Sequence, residues 1–130
     1  MKKILIILTV LYAIGLNAGD FEKGVKAYEN GNIESAISFY NKACDDGNAL
    51  GCYNLGALYD YEEGAKQDFL KAKTFYAKAC DDGDTFACNY LGLLYDGGKG
   101  VEQDFLKAKT LFGKACGLGD IQGCLARIFL

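Results

Sequence analysis

A 36-residue repeat constrains the fold of this chain more than any other sequence feature. Residues 33–68 and 69–104 align without a gap and are identical at eighteen of 36 positions. A third copy begins at Phe105 and keeps the same register to Leu130. Chains of this periodicity build their core by stacking one supersecondary unit on the next. The sequence therefore predicts a tandem array.

Each copy contains two stripes of apolar and small residues at helical spacing. The first stripe comprises Cys52, Leu55, Gly56 and Tyr59, and the second comprises Phe69, Ala72, Tyr76 and Ala79. A glycine inside a helix costs about 1 kcal/mol relative to alanine. Gly56 and its counterpart Gly92 therefore predict a close helix–helix approach, with Ala72 and Ala79 on the facing helix.

The two stripes predict an all-α protein, an α/α solenoid of antiparallel helix pairs. We expect a single domain over residues 19–130, with helix pairs at about 20–44, 48–80 and 84–116 and a terminal helix at 120–130. The sequence has no proline, and polar residues that cap helices precede each predicted start. These predicted caps are Asn48, Asp68, Asp84, Asp104 and Asp120.

The first 18 residues have the order of a secretory signal peptide, with two lysines, a short apolar run and small residues at its end. We therefore expect a secreted or periplasmic protein. Without Lys2 and Lys3, the remaining 12 basic and 17 acidic residues give a net charge of −5. The sequence has no basic patch and no further long apolar stretch, so neither nucleic acid nor a membrane is expected as a partner after cleavage.

The repeated pattern C-x-x-L-G-x-L-Y-D, a glycine-bearing loop and K-A-x-x-[FY]-x-K-A-C resembles the Sel-like repeat family of tetratricopeptide relatives. The resemblance covers residues 19–130. With a C-x7-C pair in each unit, the chain resembles in particular the Helicobacter cysteine-rich proteins. Two positions of the last copy depart from the pattern, since Arg127 replaces a leucine and Ile128 replaces the helix glycine. The resemblance also implies an enzymatic alternative, a penicillin-binding protein with slow β-lactamase activity.

The six cysteines are interpreted as three structural disulfides that staple the 36-residue repeats together. Fifteen pairings are formally open for six cysteines, but the repeat register favours local ones, at an expected Cα separation of ~5.5–6 Å. The predicted pairs are Cys44–Cys52, Cys80–Cys88 and Cys116–Cys124. Zinc sites usually show C-x2–4-C spacing and often use histidine, of which this sequence has none. The redox motif C-x-x-C is also absent, so neither metal nor cofactor is expected.

No catalytic residue can be assigned from the sequence. Serine β-lactamases require S-x-x-K, and neither Ser35 nor Ser38 is followed by lysine at that spacing. Stacked hairpins curve, and their first helices line the inner surface that extended peptides occupy. The polar and aromatic candidates there are Tyr53, Asn54, Asn89 and Tyr90.

These four residues favour a protein or extended-peptide partner, because asparagine pairs with peptide backbone and tyrosine adds contact area with a polar tip. The alternative is that they are ordinary exposed polar residues. The family resemblance adds a cell-wall peptide or a β-lactam as ligands.

Overall fold

The computed structural model describes residues 19–61 and 67–129. The predicted signal peptide, residues 1–18, lies outside the described residues, as do residues 62–66 and Leu130. The described residues form seven helices and no strand, which confirms the all-α prediction. Helix α1 covers residues 19–29. It is followed by α2 (Ile33–Asp45), α3 (Ala49–Asp60), α4 (Phe69–Asp81), α5 (Thr85–Gly97), α6 (Phe105–Gly117) and α7 (Ile121–Phe129).

The helix starts are capped by the side chains that the sequence predicted. Asp68 and Asp104 accept hydrogen bonds from the backbone N–H groups of Lys71 and Lys107 at 3.1 and 2.9 Å. Asn48, Asp84 and Asp120 cap α3, α5 and α7 in the same way. Each cap satisfies a backbone donor that the helix itself leaves unpaired.

Within each helix pair, a glycine of the first helix receives an aromatic ring of the second. A Cβ atom on Gly56 would lie 2.5 Å from the Tyr76 ring, and one on Gly92 would lie 2.7 Å from the Phe112 ring. Gly24 and Tyr40 repeat this contact between α1 and α2.

This contact corrects the expected partners of the helix glycines. The predicted close approach exists, but the ring of Tyr76, rather than a small side chain, fills the space above Gly56. Ala72 and Ala79 are fully buried elsewhere in the same core.

Between pairs, each second helix turns sharply into the next first helix, and a disulfide closes the corner. The structure joins Cys44 to Cys52, Cys80 to Cys88 and Cys116 to Cys124, with Cα–Cα distances of 4.6, 4.7 and 4.5 Å.

The corner is tighter than the expected 5.5–6 Å because the backbones nearly touch there. A Cβ atom on Gly51 would lie 2.8 Å from the Ala43 Cβ and 2.9 Å from the Cys44 nitrogen.

Two ion pairs run between consecutive second helices. Lys78 lies 3.9 Å from Asp45, and Lys114 lies 3.5 Å from Asp81. Exposed pairs of this kind contribute about 0–1 kcal/mol each. They show that α2, α4 and α6 lie side by side. The opposite side of the array carries α1, α3, α5 and α7, with α3 contacting α5 directly, and we call it the first-helix face.

Helix α7 presents apolar side chains to solvent. Ile128 is 69% exposed and stands where Gly56 and Gly92 receive their rings. Arg127 is exposed, as its departure from the repeat pattern suggested. The isoleucine side chain fills the space that the glycines of α3 and α5 leave for the rings of Tyr76 and Phe112.

Candidate functional site

Four tyrosines meet at the middle of the first-helix face, and we call them the tyrosine cluster: Tyr53, Tyr61, Tyr76 and Tyr90. The ring of Tyr90 stacks on that of Tyr76 with centroids 5.7 Å apart. Tyr53 lies 5.8 Å from Tyr90 and 5.9 Å from Tyr76. Tyr61 meets Tyr90 edge to face at 6.1 Å. The rings therefore fill the groove between α3 and α5.

The cluster is graded from core to solvent. Tyr76 is completely buried, Tyr53 and Tyr90 are half-buried, and Tyr61 is 49% exposed. Burial and the neighbouring Tyr90 raise the pKa of Tyr53 to about 12. Burial likewise raises the pKa of Tyr61 and of Tyr76. The phenols of Tyr53, Tyr61 and Tyr76 therefore stay neutral throughout the physiological range.

A carboxylate lies next to the cluster at the end of α3. The Tyr76 hydroxyl donates a 3.0 Å hydrogen bond to Asp60 Oδ2. Burial raises the pKa of the Asp60 carboxyl above its ordinary value, and the Tyr76 hydrogen bond offsets part of that shift. The Gln67 side chain donates to the Asp60 backbone oxygen at 2.9 Å, which fixes the end of the helix.

The structure places the four predicted binding residues on the first-helix face, but it changes their roles. All four are half-buried rather than outward-facing. Tyr53 and Tyr90 belong to the tyrosine cluster. Asn54 hydrogen-bonds the Tyr40 side chain, and the Asn89 amide donates to Asp120. The asparagines are therefore engaged within the protein, and a peptide backbone would have to compete with those contacts.

The repeat register explains this difference in roles. Tyr53 and Asn89 occupy equivalent positions, as do Asn54 and Tyr90. At the first position the side chain reaches toward the cap of the following first helix, so Asn89 contacts Asp120. At the second position the side chain lies against the tyrosine of the preceding second helix. Asn54 therefore contacts Tyr40, and Tyr90 contacts Tyr76.

An open cavity of about 170 Å³ lies between α1 and α3. Its lining is largely aromatic and aliphatic, and Asn54 contributes a side-chain amide. The lining residues are Tyr28, Tyr40, Asn54, Ala57, Leu58 and Tyr61. We call this the first cavity, and Tyr61 belongs both to its lining and to the tyrosine cluster.

A second cavity of about 330 Å³ lies between α5 and α7. The Phe112 ring contributes to its lining together with Phe86, Leu93 and Ala126, and Asn89, Asp120 and Gln122 add polar groups. The Oδ1 atom of Asn89 is buried here without a hydrogen-bond partner. Such an atom is costly unless a donor reaches it.

Sequence reasoning missed Asp60, Tyr61 and Tyr76 as part of this face. Tyr76 matched the apolar stripe and was counted as core, and Asp60 belonged to the repeated Y-D motif. A signal was available at Tyr61, because its counterpart in the next copy is Gly97. A tyrosine that replaces glycine in an otherwise repeated segment indicates a role outside the common fold.

In the two described ranges, no helix is long and apolar enough to cross a bilayer. The same residues contain no cluster of histidine, cysteine, aspartate and glutamate side chains suited to a metal ion.

The chain matches the family model described as Sel1 repeat three times, over residues 11–48, 49–84 and 85–120. The second and third matches each span one first helix and the second helix that follows it.

Two curated relatives come from Helicobacter pylori. "Putative beta-lactamase HcpE" of strain J99 is 36% identical over 76 residues, covering 52% of this chain and 21% of the relative. "Putative beta-lactamase HcpD" of the same strain is 34% identical over 51 residues, covering 39% and 17%. The matched region thus spans about a fifth of the length of these relatives.

Solved structures share the fold. Helicobacter pylori cysteine rich protein B is 30% identical, with a TM-score of 0.71 and 95% of both chains covered. Protein c5321, a protective antigen of uropathogenic Escherichia coli with an SLR fold, is 25% identical with a TM-score of 0.80, covering 91% of this chain and 26% of that one. A Sel1 repeat protein from Oxalobacter formigenes is 24% identical with a TM-score of 0.77, covering 85% and 45%.

Proposed function

We propose that this chain, which belongs to the Sel1 repeat family, is an interaction module that binds an extended segment of a protein or peptide on its first-helix face. The observation that carries the proposal is the arrangement of that face. Two open cavities flank a cluster of partly exposed tyrosines, and all three features lie on consecutive first helices.

The spacing of the cavities supports an extended ligand. Packed helix axes lie about 8–10 Å apart, so the two cavities, which are two first-helix spacings apart, are separated by about 18 Å. An extended chain advances about 3.3 Å per residue. Side chains about six residues apart would therefore reach the two cavities, with the segment between them crossing the tyrosine cluster.

The predicted export of the chain supports the same role. The predicted signal peptide would deliver the chain to an oxidising compartment, where three disulfides persist. We infer a secreted or periplasmic location, in which a stapled array presents a stable surface to a partner.

A displayed library of random seven-residue peptides, selected on the oxidised chain, tests this function. Selected peptides should shift backbone amide resonances of α3 and α5, and the combined variant Tyr61→Ala/Leu93→Ala should weaken binding at least about tenfold. Both side chains are about half exposed and line the cavities, so their loss leaves the core intact.

Leu106→Ala is the matched control, because it shortens an exposed leucine on α6 that lines neither cavity. If Leu106→Ala weakens binding as much as the cavity variant, the first-helix face is not the binding surface.

Binding or slow hydrolysis of β-lactams is a second candidate, favoured by the names of the two Helicobacter pylori relatives. The residues give it little support, since Ser35 and Ser38 both lie on α2, away from the two cavities. Labelled penicillin and a chromogenic cephalosporin test it directly. Turnover by the oxidised chain that disappears on unfolding would establish the activity, and a rate equal to that of buffer would dismiss it.

A further inference from the structure

We propose that Asp60 and the tyrosine cluster form a subsite for a cationic side chain, lysine or arginine, of the bound segment. This inference rests on the proposed function and names the chemistry of a ligand residue that lies between the two that enter the cavities. The segment's flanking side chains would enter the two cavities, and its basic group would lie against Asp60 and the face of Tyr61, in contact with the Tyr90 ring.

The Asp60 carboxylate is the first element of this subsite. It is half-buried, and Oδ2 is occupied by the Tyr76 hydroxyl at 3.0 Å. Over residues 19–61 and 67–129 the ion pairs are Lys78–Asp45 and Lys114–Asp81, so Asp60 has no counter-ion there. The charge of Lys99 acts on the Asp60 carboxyl and opposes part of the rise in its pKa, but that ammonium forms no ion pair with Asp60 and lies 5.7 Å from the Phe69 ring centroid. A partly desolvated carboxylate without a counter-ion favours an incoming cation.

The aromatic walls are the second element. Tyr61 and Tyr90 meet at an interplanar angle of 87° with centroids 6.1 Å apart. Two perpendicular rings form a corner in which a cation approaches one π face while contacting the other ring. Ammonium and guanidinium groups are attracted to tyrosine faces within about 6 Å of the centroid. Because Tyr61 is 49% exposed, this corner opens to solvent.

The charge of the surrounding face is the third element. Neither cavity is lined by a lysine or an arginine, whereas the second cavity includes the carboxylate of Asp120. A third carboxylate, Asp84, is close enough to affect the ionisation of Tyr53. Among the described residues, the charged groups that a lysine or arginine of the ligand meets are therefore mainly acidic, with Lys99 as the basic side chain that acts on Asp60. Charge complementarity of this kind favours a basic ligand in both association rate and specificity.

The next repeat supplies an internal control. Asp96 occupies the position equivalent to Asp60, and Gln103 anchors its backbone oxygen at 2.7 Å as Gln67 does for Asp60. The aromatic partners are missing there, since Gly97, Phe112 and Ala126 stand where the first site has Tyr61, Tyr76 and Tyr90. Asp96 therefore has the local backbone of Asp60 but not the tyrosine rings around it.

Three seven-residue peptides test the inference, each acetylated and amidated, with leucine at both ends and alanine between. Residue three, whose side chain points to the same face of an extended chain as the two leucines, is lysine, norleucine or glutamate, so that the charge at that position varies. Binding to the oxidised full-length chain is measured from amide and tyrosine-ring resonances. We expect the lysine peptide to bind at least about tenfold more tightly than the norleucine peptide, and the glutamate peptide to bind most weakly.

Asp60→Asn should reduce the lysine preference at least about fivefold, whereas Asp96→Asn should leave it unchanged. Equal binding of all three peptides on the first-helix face would overturn the cation subsite and leave the proposed function standing. A lysine preference that persists in Asp60→Asn would overturn the assignment to Asp60. No shift on the first-helix face with any peptide would count against both proposals.

Discussion

The α3–α5 and α5–α7 grooves are built from equivalent positions of one repeat, yet the first is filled and the second is open. Both begin at a corner closed by a disulfide and capped by an aspartate, Asp84 or Asp120. Tyr53, Tyr90 and Phe86 then pack together in the first groove. Their counterparts Asn89, Ala126 and Gln122 leave the 330 Å³ second cavity.

This difference distinguishes two sets of positions within one repeat. Corner residues, caps and ring-on-glycine contacts recur and hold the array together. Residues at the positions of Tyr53 and Asn54 vary between copies, and they decide which groove is filled and which is open. Stability and the shape of the grooves therefore rest on different positions, and each can be tested separately.

The largest effect is expected at the rings that lie on the helix glycines. Tyr76→Ala should destabilise the fold by about 4 kcal/mol, because removing a fully buried aromatic ring leaves a cavity. Phe112→Ala should cost less, about 3 kcal/mol, since its ring borders the second cavity and the site can relax. Chemical denaturation followed by circular dichroism measures both. Equal losses would mean that the second groove relaxes no more than the first when its ring is removed.

Disulfide removal comes next. Replacing both Cys80 and Cys88 by alanine should cost about 2.5 kcal/mol from loop-closure entropy alone, with a further loss because both residues are buried. The Cys116/Cys124 pair is half-buried, so its removal should mainly loosen α7. Hydrogen exchange distinguishes the two cases, as the first variant should lose protection in α4 and α5 and the second only in α7. Loss of protection throughout the chain in both variants would contradict this distinction.

Substituting the helix glycines by alanine should change stability by smaller amounts, with opposite signs at two positions. Gly56→Ala should destabilise by about 1–2 kcal/mol, because the new Cβ would overlap the Tyr76 ring and this overpacking outweighs the better helix propensity. Gly117→Ala, at the open end of α6, has no atom within 4 Å of its Cβ and should stabilise by about 0.4–1 kcal/mol. Thermal unfolding of the two variants measures the difference. Stabilisation by both would show that the Tyr76 ring moves aside without cost.

The smallest effect at neutral pH concerns ionisation of the tyrosine cluster. Burial raises the pKa of Tyr53 from 10.0 to about 12, so the folded state keeps a proton that the unfolded chain releases above pH 10. The contribution of Tyr53 to the free energy of unfolding is therefore fully present below pH 10 and is lost between pH 10 and about 12. Tyr53→Phe should change stability by less than about 0.5 kcal/mol at pH 8 and should flatten this alkaline decline. Denaturation curves at pH 8, 10 and 11.5 measure the effect, and a stability independent of pH up to 11.5 would refute it.

The sequence by itself determined the repeated features of this protein. Periodicity gave the helix pairs, polar residues before each stripe gave the caps, and the resemblance of the repeated motif indicated the Sel1 family. Stripes and caps depend on residues within a few helical turns, and the repeated motif lies within one 36-residue unit, so the sequence of a single repeat contains the information. Even the position of the close helix approach at Gly56 could be predicted, although the ring that fills it could not.

Only the tertiary structure decided what the first-helix face contains. The Tyr76 hydroxyl reaches Asp60 across sixteen positions, and the Tyr61 ring meets Tyr90 on the next first helix. Such contacts depend on how closely the helices cross and on the direction in which each ring points, and periodicity specifies neither. For the same reason Asn54 and Asn89, which looked free in the sequence, are hydrogen-bonded within the protein, and an aspartate from a repeated motif became the centre of a subsite.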